Sequence, residues 1–339
     1  MIIVLKPRIS RKDERAVLRE IRKLGYNTHV MRGVARTVIG AIGDELTHAN
    51  LETLLAQFPQ AVESVMPIQK RYKLVSREAH PASSTVRVRD HVIGGNKLHV
   101  MAGPCSVEDE SQLLRTAEAV KAAGATILRG GAFKPRTSPY EFQGLGEKGL
   151  KLLAKARRIT GLAVITELLS ENHAELVAEH ADILQIGARN AQNFQLLIAA
   201  AKTGKPVLLK RGLSMKIEEW LLAGEYVLAN ENPNLMFCER GIRTFETYTR
   251  NTLDLSAIPI VKRESHCPVV IDPSQGAGRA DLVITLCKGA VAMGADALLI
   301  EVHPNPAEAR SDGAQQLSLE RFAQLMKELQ PFIQAAGRE

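Results

Sequence analysis

The sequence predicts a (β/α)8 TIM barrel preceded by a small α+β domain of ferredoxin-like topology. Three observations carry that reading. Eight short β-rich apolar runs recur between residues 98 and 301, helical patterns separate them, and the first 68 residues follow a βαββαβ order.

In the first part, MIIVLK reads as a strand, ISRKDERAVLREIRKLG as an amphipathic helix, and YNTHVMRG and RTVIGAIGD as two further strands. A helix over HANLETLLAQF and a strand over VESVMPI complete residues 1–68, expected to serve regulation or oligomerisation. Residues 69–97, with HPASS and IGGN, read as a connector carrying one short hairpin. Residues 98–339 form the barrel. Its strands are LHVMAG, ATILRG, LAVITE, ADILQIG, KPVLLKR, NLMFCER, CPVVIDPS and ADALLIE, with helices such as DESQLLRTAEAVKAAG and SMKIEEWLLAGEYVLA between them. A doubly wound open sheet is the alternative, but no GxGxxG follows the first of these strands. The stretch IDPSQGAGR reads as the end of the seventh strand passing into a loop.

Composition narrows the function classes. A hydrophobic content of 45% and charged content of 24% are those of a globular chain, and no apolar run reaches the roughly 18 residues of a membrane span. The opening MIIVLKPRIS is too short in its apolar part for a signal peptide, so a cytoplasmic protein that engages no membrane is expected. The four cysteines form no CxxC pair, which argues against a disulfide framework or a zinc knot. The net charge of +7 is uneven: residues 1–98 hold 17 Lys/Arg against 9 Asp/Glu, and the remainder holds 27 against 28. The basic segment invites an RNA-binding reading. However, MIIVLK and RTVIGAIGD offer no aromatic side chain on which a base could stack, so no nucleic-acid partner is expected.

Barrel enzymes carry their chemistry at the C-terminal ends of the strands. Nearly every predicted strand here ends in a reactive or charged residue. Arg129, Lys134, Arg136, Arg189, Lys210 and Arg240 exceed what one carboxylate needs, which points to a substrate with several anionic groups, phosphates above all. Thr137 and Ser138 beside Arg136 add hydroxyls for a phosphate cradle, and the absence of a Walker loop argues against a nucleoside triphosphate. A second set, Cys105, Glu301 and Asp312 with Gln275 or His303 beside them, has the chemistry to hold manganese, iron, zinc or cobalt.

GPCS at 103–106, GAFKPRTSPYEFQGLG at 131–146, ITE at 165–167 and ADILQIGARNAQNF at 181–194 resemble the DAHP synthase family. PVLLKRG, IEEWLLAGEY, CERGIRTFE and EVHPNPAEARSDGAQQL extend the resemblance over the rest of the barrel. More narrowly, the chain resembles the type I β branch, in which a ferredoxin-like domain precedes the barrel. The resemblance implies condensation of phosphoenolpyruvate with erythrose 4-phosphate, the first step of the shikimate pathway of aromatic amino acid synthesis. It assigns Arg129, Lys134, Arg189, Lys210 and Arg240 to phosphoenolpyruvate, Arg136 and Thr137 to erythrose 4-phosphate, and Ala188 to substrate binding. Lys134 is then the candidate proton donor and Glu167 the acid that positions water. It also implies a divalent cation on Cys105, Glu301, Asp312 and the position held here by Gln275, where the family has the His of a DPSH motif. Because an amide is a poorer ligand than imidazole for transition metals, weakened metal binding and reduced turnover are expected unless His303 or water substitutes. A relative that binds the phosphorylated substrates without turnover is the alternative, and a synthase using arabinose 5-phosphate is a third reading that KPRTSPY disfavours. A homo-oligomer, tetramer or dimer, and an aromatic amino acid effector are further expectations of the resemblance.

Overall fold

The computed structural model describes residues 1–33, 36–43, 49–66, 71–136 and 138–339. Two compact units are present: residues 1–83 with 264–266, and residues 84–263 with 267–339.

The first unit runs β1 (Ile2–Leu5), α1 (Arg11–Lys23), β2 (Asn27–Arg32), β3 (Thr37–Ile42), α2 (Ala49–Glu52), α3 (Leu54–Gln57) and β4 (Val62–Met66). Its strands lie in the order β2-β3-β1-β4, and every pair is antiparallel. The sheet is therefore ferredoxin-like, with β1 and β3 at its centre and no aromatic residue on either. Ser10 caps α1 by accepting from the Asp13 N–H at 3.1 Å, and Val17 and Ile21 bury its apolar stripe among Ile3, Leu5 and Ile39. One helix was expected over HANLETLLAQF. The chain instead forms two single turns separated at Thr53.

The second unit begins with the hairpin β5 (Val86–Val88) and β6 (His91–Ile93). Eight parallel strands follow: β7 (His99–Gly103), β8 (Ile127–Arg129), β9 (Ala163–Glu167), β10 (Ile183–Ile186), β11 (Val207–Lys210), β12 (Leu235–Glu239), β13 (Val269–Ile271) and β14 (Ala297–Glu301). They close in sequence order, with β14 pairing β7. The helices around them are α4 (Glu110–Ala122), α5 (Glu147–Thr160), α6 (Ala174–His180), α7 (Phe194–Lys202), α8 (Ile217–Ala229), α9 (Ala257–Glu264), α10 (Pro273–Ala277), α11 (Ala280–Ala292) and α12 (Leu319–Ala335). All eight predicted strands are present.

The barrel interior explains where the site falls. Met101, Ile127, Ile165, Ile183, Leu208, Cys238, Val270 and Leu299 pack together inside it, with Val86, Val88 and Ile93 of the hairpin in the same cluster. Because side chains alternate at period two along a strand, the residue two further on points the same way. Those residues are Gly103, Arg129, Glu167, Gln185, Lys210, Arg240, Asp272 and Glu301. The inward row is thus apolar through the barrel and turns polar at its C-terminal rim.

His99, at the opposite end of β7, is 2% exposed; its Nε2–H donates to Val92 O at 3.1 Å and its Nδ1 lies 3.2 Å from Thr126 Oγ1. Burial depresses its pKa from 6.5 to about 4. The unfolded chain therefore binds a proton that the folded chain refuses between those values. The contribution is complete above pH 6.5 and is lost as the pH falls towards 4, by up to about 3 kcal/mol. Urea unfolding at pH 7 and pH 4.5 should show the loss, and His99→Gln should make it smaller; an unchanged pH slope in the variant contradicts this.

Candidate active site

At the C-terminal rim the side chains enclose a cavity of about 390 Å³, within the range of small-molecule sites. Among the described residues, eight cations line it, Arg129, Lys134, Arg136, Arg189, Lys210, Arg240, Arg243 and Arg250, against three carboxylates, Glu141, Glu167 and Asp312. Gln185, Ala188, Asn251 and Gln275 are also in the lining.

Two of the cations are positioned by buried carboxylates. Arg129 donates through Nη1 to Glu301 Oε1 at 2.8 Å and to Pro104 O at 3.1 Å. Burial opposes its charge, and Glu301 more than restores it. Lys210 donates to Asp272 Oδ2 at 2.6 Å. Asp272 Oδ1 in turn accepts the Gln275 N–H at 2.9 Å, so one carboxylate orients a cavity lysine and caps α10. DPSQGAG is therefore one helical turn rather than the loop expected from sequence: Asp272 is the N-cap, Pro273 the first helical residue, and Gly278 ends the turn at φ 68°. Arg189 donates to Pro135 O at 3.2 Å. Arg136 donates to both oxygens of Glu141, at 2.9 and 3.3 Å, and to Ser311 Oγ at 3.0 Å. The adjacent Thr137 lies outside the described residues, and Ser138 Oγ accepts the Tyr140 N–H instead of lining the cavity.

Among the described residues, two buried guanidinium groups keep N–H donors without partners. Arg129 Nε and Arg240 Nε and Nη1 are buried and unbonded. Burial pulls the Arg240 pKa below its ordinary value. Buried donors of this kind are rare in folded proteins, and cationic ones call for an anion.

Beside the cations sits an acidic group. One ligand atom each from Cys105, Glu301 and Asp312 lies within 4.8 Å of the others, a set that could hold a metal ion. Cys105 Sγ is 3.1 Å from Ser311 Oγ and 3.4 Å from Asp312 Oδ2, and Lys134 Nζ donates to Cys105 O at 3.2 Å and to its Sγ at 3.1 Å. Burial, then Glu301, pushes the Cys105 thiol up to about 12. Burial disfavours the Lys134 ammonium, but Cys105, Glu167 and Glu301 together outweigh it and raise its pKa. Gln275 Nε2 donates to Glu301 Oε1 at 2.9 Å and to Asp312 Oδ2 at 3.2 Å. Its Oε1 accepts from Arg240 Nη2 at 2.8 Å. His303 does not join this group; its Nδ1 accepts the Asn305 N–H at 3.0 Å and its Nε2 faces Glu108 at 3.5 Å.

The fold also brings in residues that sequence reading did not single out. Arg243, Arg250 and Asn251 come from the long segment after β12, and Gln315 donates to Glu301 Oε2 at 2.7 Å. Charge within RTFETYTRN was the only signal for the arginines.

Comparisons with known proteins identify the family. Residues 75–335 match the model of the DAHP synthetase I family, and residues 1–70 match that of the DAHP synthase ferredoxin-like domain. The chain belongs to the DAHP synthase family. It is 49% identical to the phospho-2-dehydro-3-deoxyheptonate aldolase of Thermotoga maritima, over 99% of both chains. A crystal structure of the phospho-2-dehydro-3-deoxyheptonate aldolase (DAHP synthase) from Thermotoga maritima is 48% identical to this chain, with a TM-score of 0.79 over 100% of this chain and 98% of that one. A more distant relative, the 2-dehydro-3-deoxyphosphooctonate aldolase of Caulobacter vibrioides, is 34% identical over 74% of this chain and 91% of its own. The DAHP synthase barrel thus accounts for the expected fold, and the chain is an enzyme of that family. No helix among the described residues is long and apolar enough to cross a membrane.

One glycine of the rim gives a direct check on Glu167. A Cβ placed at Gly187 would fall on the Glu167 carboxylate. Gly187→Ala is therefore expected to displace that carboxylate, a flexible tip, while leaving the strands intact. A misplacement near 1 Å costs about 100-fold in rate. The expected result is a kcat lower by roughly that factor with an unchanged melting temperature; full activity would show that the position of Glu167 does not matter.

Proposed function

We propose that the enzyme condenses phosphoenolpyruvate with D-erythrose 4-phosphate to give 3-deoxy-D-arabino-heptulosonate 7-phosphate and inorganic phosphate. The observation that carries this is the charge of the cavity, in which lining cations exceed lining carboxylates by five. Two phosphate monoesters and one carboxylate bring about four to five negative charges near neutral pH. Full-length similarity to a heptonate aldolase supports the same choice, since the octonate aldolase relative matches only part of the chain.

In this reading Arg129, Arg189, Lys210 and Arg240, with the backbone at Ala188, hold phosphoenolpyruvate, and the unbonded N–H groups of Arg129 and Arg240 meet its anionic oxygens. Arg136 and Thr137 take the phosphate of erythrose 4-phosphate, for which Glu141 must release the Arg136 guanidinium. Carbon 3 of phosphoenolpyruvate attacks the aldehyde carbon, and the oxygen that becomes an alkoxide takes a proton from Lys134 Nζ. Carbon 2, now electron-poor, takes water oriented by Glu167, which accepts the departing proton. The resulting hemiketal phosphate breaks its C–O bond with the electrons leaving on phosphate, which takes the proton held by Glu167, while the C2 hydroxyl proton returns to Lys134 Nζ and the ketone remains; one water is consumed for each phosphate released. Lys134 and Glu167 both line the cavity, as two groups of opposite proton demand require.

The divalent cation that the family resemblance implies fits this donor set only in part. Cys105, Glu301 and Asp312 supply ligand atoms, but Gln275 turns an N–H towards them, and an N–H has no lone pair for a metal. The family resemblance further implies a cytoplasmic homo-oligomer in which residues 1–68, part of the segment that matches the ferredoxin-like domain, take an aromatic amino acid effector.

Product analysis tests the reading. Incubation with phosphoenolpyruvate and either erythrose 4-phosphate or arabinose 5-phosphate should give the heptulosonate from the first aldose and at most a trace of product from the second. Preference for arabinose 5-phosphate would overturn it.

A further inference from the structure

The orientation of the Gln275 amide can be decided from its neighbours alone. An amide has a donor end and an acceptor end, so its partners fix which end faces which. Arg240 Nη2, at 2.8 Å, can only donate, so the atom facing it must be the oxygen. Glu301 Oε1 and Asp312 Oδ2, as carboxylate oxygens, can only accept, so the atom facing them must be the nitrogen. Both ends demand the same orientation. Turning the amide to offer its oxygen to a cation would set two donors against each other at Arg240 and strip Glu301 and Asp312 of the NH2 group they share.

The charges of the two carboxylates are also already met. Glu301 pairs with Arg129 at 2.8 Å, and Asp312 with Arg250 at 3.1 Å. The remaining oxygens are bonded as well: Gln315 Nε2 donates to Glu301 Oε2 at 2.7 Å, and Cys105 Sγ lies 3.4 Å from Asp312 Oδ2. Every carboxylate oxygen of the pair thus has a donor, and each carboxylate has its own cation. Nothing in this arrangement requires a dication to keep like charges apart.

We propose that the Gln275 carboxamide takes the place of a divalent cation between Glu301 and Asp312, and that the enzyme assembles its site and turns over without one. The amide bridges the two carboxylates through its nitrogen and fixes Arg240 through its oxygen, so the group that replaces the metal also orients a cation of the substrate cavity. The turnover part of this proposal rests on the condensation reading above. The metal-binding part does not.

The test uses the full chain, stripped with a chelator, beside Gln275→His. Manganese titrations by calorimetry should give no saturable binding to the unmodified chain up to millimolar concentration, and binding at least about 100-fold tighter in Gln275→His. Cobalt should give a thiolate-to-metal absorption band through Cys105 in the variant alone. Heptulosonate formation by the unmodified chain should be the same with and without chelator. Tight stoichiometric binding and the cobalt band in the unmodified chain would overturn the proposal, as would activity lost on chelation and restored by manganese. If Gln275→His does not melt cooperatively, the unmodified chain's titration and cobalt spectrum decide alone. Absence of heptulosonate from both proteins, with or without metal, would sink the condensation reading and the turnover claim while the titrations still decide metal binding.

Discussion

Replacing Lys134 with Met is expected to lower kcat by about 100- to 10,000-fold, the range for loss of a positioned proton donor. Lys134 Nζ lies 3.1 Å from Cys105 Sγ and donates to its carbonyl, which places the ammonium between the acidic group and the cation-lined cavity. Met preserves the length and the apolar stem while removing the proton, so the fold should persist and the melting temperature should change little. Lys134→Arg separates charge from chemistry. A guanidinium keeps the positive charge that attracts phosphates but does not give up its proton in a protein, so it should restore KM and leave kcat low. If Lys134→Arg recovers most of kcat, Lys134 acts through charge alone and the proton assignment fails.

Arg129→Leu is expected to destabilise the protein by about 3–5 kcal/mol. The guanidinium is 5% exposed and the Glu301 carboxylate wholly buried, so removing one partner leaves an uncompensated charge in the barrel. The hydrogen bonds from Gln275 and Gln315 soften this loss but supply no charge. Arg129→Leu combined with Glu301→Leu should recover much of the stability, because two apolar side chains replace a pair whose desolvation is costly. Urea unfolding midpoints give both numbers. A double variant no more stable than Arg129→Leu would place the cost in lost packing rather than in the stranded charge.

Much of the barrel and its rim was legible because period two couples the two. A strand such as KPVLLKR shows both its apolar interior residue, Leu208, and the polar residue that follows it inward, Lys210. The same arithmetic gives Arg129 from Ile127 and Glu301 from Leu299. Arg243 and Arg250 obey no such period. They sit between β12 and α9, where position depends on the path of the backbone rather than on residue type. The α10 turn was missed although its signals were present, because Pro and two glycines within seven residues suggest a loop before they suggest an N-cap, a first helical residue and a left-handed end. The sequence also showed that an amide stands at position 275 but not which end of it meets the carboxylates. That follows only once Arg240 is seen on the opposite side.

The cations of this cavity are proposed to bind two phosphorylated substrates for a reaction that releases one phosphate. Following phosphoenolpyruvate absorbance and free phosphate together, with and without erythrose 4-phosphate, tests it most directly. The expected result is loss of one phosphoenolpyruvate for each phosphate formed, dependent on the aldose and unaffected by chelator. Phosphoenolpyruvate that is bound but not consumed, in the presence or absence of manganese, would contradict it and make the protein a binding relative that has lost its chemistry.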